Sequence, residues 1–279
     1  MYDNGGNAFV KPMHAKATME LFQFTVGESP LVAAAIHHGH LVSPEAKRWL
    51  ALDDAERLRE EDPFTGLLTE IASTRLIGQR SRFEFDLNRQ RDKAVYLAPE
   101  DAWGLEVWRS SPPRSLVERS LANYDAFYAT VEAVLRQLVA VHGRIVVLDI
   151  HSYNHCRDGA DCPPADSQAN PEVNVGTGTM DRDYWASVVD GFIAALADFN
   201  FLGRRLDVRE NIKFRGGEFS RWIHQTFPRT VCSIAVEFKK CFMNEWTGLP
   251  DNRQLCEIQA ALTFTAPVLL HQLSGQAKS

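Results

Sequence analysis

The chain has 279 residues, of which 45% are hydrophobic and 24% are charged, close to the averages of soluble globular proteins. This composition excludes a disordered or collagen-like chain, and the formal net charge of −6 lacks the basic surplus that is typical of nucleic-acid binders. No apolar run approaches the roughly 20 residues of a membrane-spanning helix, and no signal peptide is visible. We therefore expect a cytoplasmic protein without membrane or nucleic-acid partners.

Apolar periodicity and turn residues predict an alternation of strands and helices. In chain order the elements are a loosely held arm over residues 1–20, a buried strand over 31–36, helices over 44–52 and 63–73, an extended segment over 75–88, an ordered loop over 99–114, a long helix over 115–142, a strand over 144–150, a loop over 154–171, a strand over 172–176, a helix over 181–200, a strand near 207–213, a helix over 217–227, a strand over 231–238 and a final helix over 252–273. The helix over 63–73 is expected to have Asp62 as its N-cap and Pro63 at its first position.

Strands that alternate with helices of ten residues or more are typical of the α/β class. We predict a mixed, mostly parallel sheet that is covered by helices on both faces. No repeat, low-complexity tract or flexible linker interrupts the pattern, so residues 1–279 are predicted to form a single catalytic domain.

Polar side chains are predicted where three apolar strands end. His37 and His151 directly follow such strands, and Glu237 lies near the end of a third. In open α/β sheets, ligands bind beyond the carboxyl ends of the strands, where residues that are distant in sequence converge. Two histidines and a carboxylate suit zinc with a fourth position open to water, and a nearby unligated carboxylate can take the proton of that water.

Each of these features also has a structural interpretation. A histidine at a strand end is more often non-ligating than ligating, and the acidic residues 60–62 are of a kind that commonly favours a helix N-terminus through its dipole. Asp149 lies on the same side of its strand as His151 and is in a position to orient that imidazole. Glu237 is harder to explain in this way, because a carboxylate within an apolar strand needs a partner or a function.

Two further groups of residues bear on the ligand and on the compartment. Arg82, Arg89 and Arg91 cluster near the end of the extended segment. Because guanidinium groups match carboxylates bidentately, the cluster predicts an anchor for an acidic substrate, with a solvated basic face as the alternative. The five cysteines are sparse, odd in number and form no CxxC pair, which favours reduced thiols in the cytoplasm.

Six short motifs follow one another over roughly residues 30–240. They are Ile36-His37-His38-Gly39, Arg59-Glu60-Glu61-Asp62-Pro63, Asp86-Leu87-Asn88-Arg89, Asp149-Ile150-His151-Ser152, Phe214-Arg215-Gly216-Gly217 and Val236-Glu237-Phe238. In this order they resemble the N-formylglutamate amidohydrolases, within the broader zinc-carboxypeptidase and aspartoacylase group. The resemblance implies a zinc-carboxypeptidase-like fold of the phosphorylase/hydrolase-like kind. It also implies a zinc-dependent hydrolase that cleaves the linear amide of a small acidic N-acyl amino acid such as N-formylglutamate.

The resemblance implies the metal ligands residue by residue. His37 and His151 match two zinc ligands of the family, and an acidic residue of the 60–62 cluster matches the third. Within that cluster Glu61 is the first choice and Asp62 is the alternative. No cysteine belongs to this implied ligand set.

The resemblance also implies catalytic and substrate-binding residues. Glu237 matches the general base, which activates water and then acts as general acid, and Arg82 matches an arginine that polarises the scissile carbonyl. Contacts with substrate carboxylates are implied for Asn88, Arg89 and Arg215.

The motifs depart from the family pattern in two places. The histidine motif has Ile and His where the family has Pro and then Ser or Ala, and the acidic motif reads Glu-Glu-Asp rather than Asp-x-Asp. The alternatives are therefore a carboxypeptidase- or aspartoacylase-like deacylase of another N-acyl amino acid or small peptide, and a non-catalytic anion-binding relative.

Overall fold

The computed structural model describes residues 21–275, so the predicted arm over residues 1–20 lies outside the described part. Seven strands in that part form one sheet. They are β1 (Phe22–Thr25), β2 (Leu31–Ala35), β3 (Thr74–Gly78), β4 (Ile145–Tyr153), β5 (Val173–Gly176), β6 (Val208–Glu210) and β7 (Val231–Lys239). Their order across the sheet is β1-β3-β2-β4-β7-β5-β6.

The sheet is mixed and mostly parallel, as the sequence predicts. Strands β3, β2, β4 and β7 are parallel neighbours, and β5 is parallel to β6. Only β1 with β3 and β5 with β7 pair antiparallel among the described strands. The predicted α/β fold class is therefore confirmed, whereas the assignment of residues 1–279 to a single domain stays a prediction.

Helices connect the strands. They are α1 (Pro44–Trp49), α2 (Asp54–Glu60), α3 (Thr65–Leu68), α4 (Arg114–His142), α5 (Ala186–Asp198), α6 (Glu218–Thr226) and α7 (Asn252–Gly275), with 3-10 turns at Thr69–Ile71, Arg91–Lys93 and Pro99–Ala102. Within residues 21–275, no helix combines the length and the apolar character that a membrane span requires.

Two apolar cores lie on the two faces of the sheet. Val32 and Ala34 of β2 join a core with α4 and α6, whereas Leu31 and Ala33 join a second core with α5 and α7. A strand that is covered on both faces is apolar at successive positions, which explains the uninterrupted apolar run in β2.

Two elements of the structure are absent from the sequence prediction. Helix α2 begins with a capping box between Asp53 and Glu56, and Arg57 is its buried residue. Such a short, charged helix has too little apolar periodicity to be recognised. Strand β1 contains four residues and buries Phe22, so it gives a similarly weak signal.

The segments over 63–73 and 75–88 are less regular than predicted. The first contains only α3 and a 3-10 turn, and its N-cap is Phe64 in a left-handed conformation rather than Asp62. In the second, Phe83 and Phe85 are buried, but Glu84 and Asp86 are buried as well, so the predicted alternation is absent and the chain is irregular beyond the end of β3. The prediction of an Asp62 N-cap is therefore wrong, because tertiary partners engage that carboxylate instead.

Candidate active site

The candidate site lies at the carboxyl-terminal ends of the central parallel strands. His37 comes two residues after β2, while His151 and Glu237 are paired across β4 and β7 in the parallel register. These residues line one cavity of about 260 Å³. The parallel strand order therefore brings together side chains that are up to 200 positions apart in the sequence.

A buried carboxylate lies between the two histidines. Oδ2 of Asp62 is 3.0 Å from Nδ1 of His151 and 3.5 Å from Nδ1 of His37, while its Oδ1 accepts a hydrogen bond of 3.2 Å from Ser152. The backbone N–H of Asp62 donates to the carbonyl oxygen of His37 at 3.0 Å, which fixes the turn against the end of β2. One donor atom from each of His37, Asp62 and His151 lies within 4.8 Å of the others, so the three can share one metal ion.

Glu61, the first choice from the resemblance, has other partners. Its carboxylate is fully buried, accepts a hydrogen bond from Ser81 and lies 2.5 Å from Nδ1 of His40. Nη1 of Arg57 lies 3.6 Å from Oε1 of Glu61. Successive residues of an extended chain point in opposite directions, so only one of Glu61 and Asp62 can face the histidines. In this structure that residue is Asp62, the alternative.

The histidines are held from behind by two more carboxylates. Nε2 of His37 is 2.7 Å from Oδ1 of Asp86, and Nε2 of His151 is 2.9 Å from Oδ1 of Asp149. Both Nδ1 atoms are thereby directed towards Asp62. A carboxylate behind a ligating imidazole fixes its orientation and raises its basicity, which is the usual arrangement around protein-bound metals.

The charges in the cluster stabilise one another. Burial by itself would raise the pKa of Asp62, but hydrogen bonds from His151 and His37 outweigh it and hold that pKa far below its usual range. Burial would lower the pKa of His151, but the Asp149 and Asp62 carboxylates raise it well above its usual value. The metal-free cluster therefore retains a proton on His151, and a cation that binds there must displace it.

Glu237 differs from Asp62 in that its pKa is raised rather than lowered. It lines the cavity beside the cluster, and burial raises its pKa to about 7. The carboxylates of Asp62 and Asp149 also raise it, while His151 acts in the opposite direction. A carboxyl group with a pKa close to neutral is suited to accept a proton and to return it.

Arg82 is fixed at the cavity wall by two hydrogen bonds to one carboxylate oxygen. Its Nε and Nη2 donate to Oδ2 of Asp86 at 3.1 and 2.7 Å, and Trp103 covers its guanidinium at 4.8 Å. Asp86 therefore contacts both His37 and Arg82. The Arg82 and His37 charges hold the pKa of Asp86 well below its usual range, even though burial acts to raise it.

The three predicted carboxylate-binding residues also line the cavity. Asn88 accepts a hydrogen bond from the backbone N–H of Phe219 through Oδ1 at 3.0 Å, so its amide group is oriented by the start of α6. Arg89 lies 5.8 Å from the ring of Trp103 and, among the described residues, has no carboxylate within ion-pair distance. Arg215 is more exposed and likewise has no such partner in residues 21–275.

Sequence reasoning did not assign a site role to several residues that line the cavity. Arg157 pairs with Glu60 at 3.3 Å, and Lys240 donates to the carbonyl oxygen of Glu61 at 2.7 Å. Lys240 is buried, which lowers its pKa to about 8, and it fixes the backbone just before Asp62. Neither residue belongs to a recognisable motif; for Lys240, a lysine directly after the Glu237 strand was the available signal.

Comparisons with known proteins agree with this geometry. The family model described as N-formylglutamate amidohydrolase matches residues 29–243. A crystal structure of N-formylglutamate amidohydrolase from Ralstonia eutropha is similar with a TM-score of 0.69 and 17% identity, over 92% of this chain and 98% of that one. A gene product of Agrobacterium tumefaciens is similar with a TM-score of 0.63 and 16% identity, over 91% and 97%. No curated protein sequence matches the chain significantly.

Proposed function

The chain belongs to the N-formylglutamate amidohydrolase family and is a hydrolase of carbon–nitrogen bonds, and we propose that it uses zinc to cleave the linear amide of an acidic N-acyl amino acid. The observation that carries the proposal is the buried cluster of His37, Asp62 and His151 in the same cavity as Glu237. N-formylglutamate is the first substrate to test, because it gives the family its name.

The donor set fits zinc. Two imidazoles and one carboxylate, with a further position left for water or substrate, form one of the ligand sets that catalytic zinc uses. We assign His37, Asp62 and His151 as ligands, so Asp62 takes the place that the resemblance first gave to Glu61. When bound, zinc lowers the pKa of water and polarises a carbonyl oxygen.

Glu237 is assigned as the general base. Its neighbours in the cavity are the cluster residues, and its pKa of about 7 allows it to accept a proton from the attacking water near neutral pH. The protonated carboxyl group then returns the proton to the amine nitrogen as the carbon–nitrogen bond breaks. One residue therefore acts first as base and then as acid.

Arg82 is assigned to the developing negative charge on the carbonyl oxygen. Its contact with Asp86 fixes the guanidinium plane before substrate arrives, so little reorganisation is needed as the charge forms. The stacked ring of Trp103 limits the movement of the guanidinium on another side.

Asn88, Arg89 and Arg215 are assigned to the substrate carboxylates. Since Oδ1 of Asn88 accepts from the backbone, its amide N–H groups remain as donors on the same side chain. Arg89 offers a guanidinium that no described carboxylate neutralises. The two carboxylates of an acidic amino acid substrate can therefore pair with Arg89 at the cavity wall and with the more exposed Arg215.

The size of the cavity favours a small substrate. Pockets for drug-sized ligands measure about 300–1,000 Å³, and this cavity measures about 260 Å³. An acylated amino acid is the better match, and a peptide of several residues would extend out of the cavity. The carboxypeptidase- or aspartoacylase-like alternative differs in the acyl group rather than in the catalytic residues.

The free cysteines support a reducing location. All five are unpaired in the structure. We propose the cytoplasm on this ground, because disulfides form mainly in oxidising compartments.

Three measurements test the proposed function. Purified protein should bind one zinc ion at the His37–Asp62–His151 cluster and hydrolyse N-formylglutamate faster than N-acetylglutamate, N-acetylaspartate and dipeptides. Arg89→Ala should raise KM more than it lowers kcat, with Arg91→Ala as the matched control, since Arg91 is exposed and paired with Asp125. A metal-loaded protein that cleaves none of these amides would refute the proposal.

A further inference from the structure

A second group of metal-ligating side chains lies beside the active-site cavity. His155 and Cys156 follow the end of β4, and Glu245 follows β7. One donor atom from each lies within 4.8 Å of the others. They line a separate cavity of about 340 Å³, and Lys240 lines both this cavity and the active-site cavity.

We propose that His155, Cys156 and Glu245 form a second metal site, which binds a thiophilic divalent cation of the zinc type. It is distinct from the His37–Asp62–His151 cluster in place and in donor chemistry. The cluster offers nitrogen and oxygen donors only, whereas the second site includes a sulfur. The proposal does not depend on the amidohydrolase activity.

The separation of the sulfur and nitrogen donors fits a shared ion. Sγ of Cys156 is 3.6 Å from Nδ1 of His155. In a tetrahedral site with zinc bonds of about 2.3 Å to sulfur and about 2.0–2.1 Å to nitrogen, these two atoms lie about 3.6 Å apart. The two adjacent side chains are therefore already spaced as ligands of one ion.

Glu245 supplies the negative charge and also holds the two other ligands. Its carboxylate is almost fully buried, and it accepts hydrogen bonds from the backbone N–H groups of His155 at 2.6 Å and Cys156 at 3.1 and 3.2 Å. A purely structural interpretation would stop at these bonds. A carboxylate has about four lone-pair directions, however, and Oε2 accepts only one of these contacts, so it retains capacity for a cation.

A second thiol lies near this site but outside the group of three donors. Cys241 lines the cavity together with Cys156, so two of the five free thiols of the chain lie around this one space. When Cys156 binds a divalent cation, its thiol proton is released to solvent. The resulting thiolate and the Glu245 carboxylate then balance the two charges of the ion, despite the nearby ammonium group of Lys240.

A metal at this position would affect the active site by fixing the segment that follows β4. Arg157 directly follows Cys156, lines the active-site cavity and pairs with Glu60 at 3.3 Å. An ion that holds His155 and Cys156 against Glu245 would therefore anchor the segment that carries Arg157. The second site therefore has a structural role and takes no part in the reaction.

Titration of the metal-free, full-length protein with Co²⁺ tests the proposal. Thiolate ligands of Co²⁺ produce an intense near-ultraviolet charge-transfer band, and the His37–Asp62–His151 cluster contains no sulfur to produce one. We expect two bound cobalt ions and such a band. Cys156→Ser should abolish the band and lower the stoichiometry from two to one. Cys162→Ser, at an exposed cysteine in the same loop, should change neither.

His151→Asn separates this proposal from the proposed function. It should remove the cobalt ion of the first cluster, while the charge-transfer band persists at unchanged intensity. A wild-type titration that saturates without the band would overturn the second site, and so would a band that persists in Cys156→Ser. Because both readouts are of bound metal, neither result depends on whether N-formylglutamate is a substrate.

Discussion

The raised pKa of Glu237 predicts that this residue destabilises the metal-free protein at neutral and alkaline pH. Its pKa rises from the usual 4.5 to about 7 because burial disfavours the charged form. The corresponding free energy is about 3 kcal/mol. Since part of the carboxylate faces the hydrated cavity, we expect an effect of about 2 kcal/mol on unfolding. Glu237→Gln is similar in shape and cannot ionise.

The sign of the effect follows from proton linkage. Below pH 4.5 Glu237 is protonated in both the folded and the unfolded protein, so its ionisation does not affect stability. Between pH 4.5 and 7 only the unfolded protein releases the proton, and stability falls as pH rises through this window. Glu237→Gln should therefore match the wild type near pH 4.5 and be about 2 kcal/mol more stable at pH 8.

Urea unfolding of the two metal-free proteins at pH 5 and pH 8 measures this difference. Groups that lie far from Glu237 titrate alike in both proteins, so their contributions cancel in the comparison. Glu106→Gln, at an exposed carboxylate, is the control and should show no pH-dependent gain. An equal stability difference at both pH values would refute the burial argument.

The same variant tests the catalytic assignment. Loss of a general base typically lowers the rate by about 10²–10⁴-fold, so zinc-loaded Glu237→Gln should lose kcat by this factor while retaining its metal. Retention of full activity would remove Glu237 from the mechanism. Greater stability combined with lower activity is the expected signature of a residue that is kept for function rather than for folding.

Four further variants test the site. Asp62→Asn should lose bound zinc and activity. Glu61→Gln should retain zinc, but it should lower the free energy of unfolding by about 1–3 kcal/mol in urea, because it disturbs a buried hydrogen bond. Metal analysis of both variants decides which of the two acids is the ligand. Asp86→Asn should weaken zinc binding about 10–100-fold in a chelator competition, since it removes the carboxylate behind a ligand. Gly217→Ala would place a methyl group 2.2 Å from Oδ1 of Asn88, so KM should rise while the protein stays folded, and an unchanged KM would argue against substrate contact by Asn88.

The apolar strands explain how much of the site could be predicted. A strand that is covered on both faces has almost no place for a polar residue except at its end, so His37, His151 and Glu237 stood out against their apolar surroundings. Parallel pairing then makes their meeting at one edge of the sheet a consequence of fold class. The arginines near residue 89 lacked such a constraint; their clustering predicted a carboxylate anchor, and the resemblance implied the individual contacts.

The choice between Glu61 and Asp62 shows the limit of local sequence. Both are buried acids in the same turn, and each has polar partners. The difference lies in which neighbours the turn meets: Ser81, His40 and Arg57 surround Glu61, whereas the two histidines face Asp62. Nothing in a run of three acidic residues specifies this direction. It depends on how the turn is fixed, by the backbone contact to His37 and by Lys240, which directly follows β7.

The sequence by itself determined the α/β class and the family, because apolar patterning and ordered motifs are properties of the linear chain. Tertiary structure alone decided which carboxylate faces the histidines and that Asp86 supports both His37 and Arg82. It also placed Glu245 within reach of His155 and Cys156. The physical reason is that directions and distances between side chains depend on packing between segments that lie far apart in the chain.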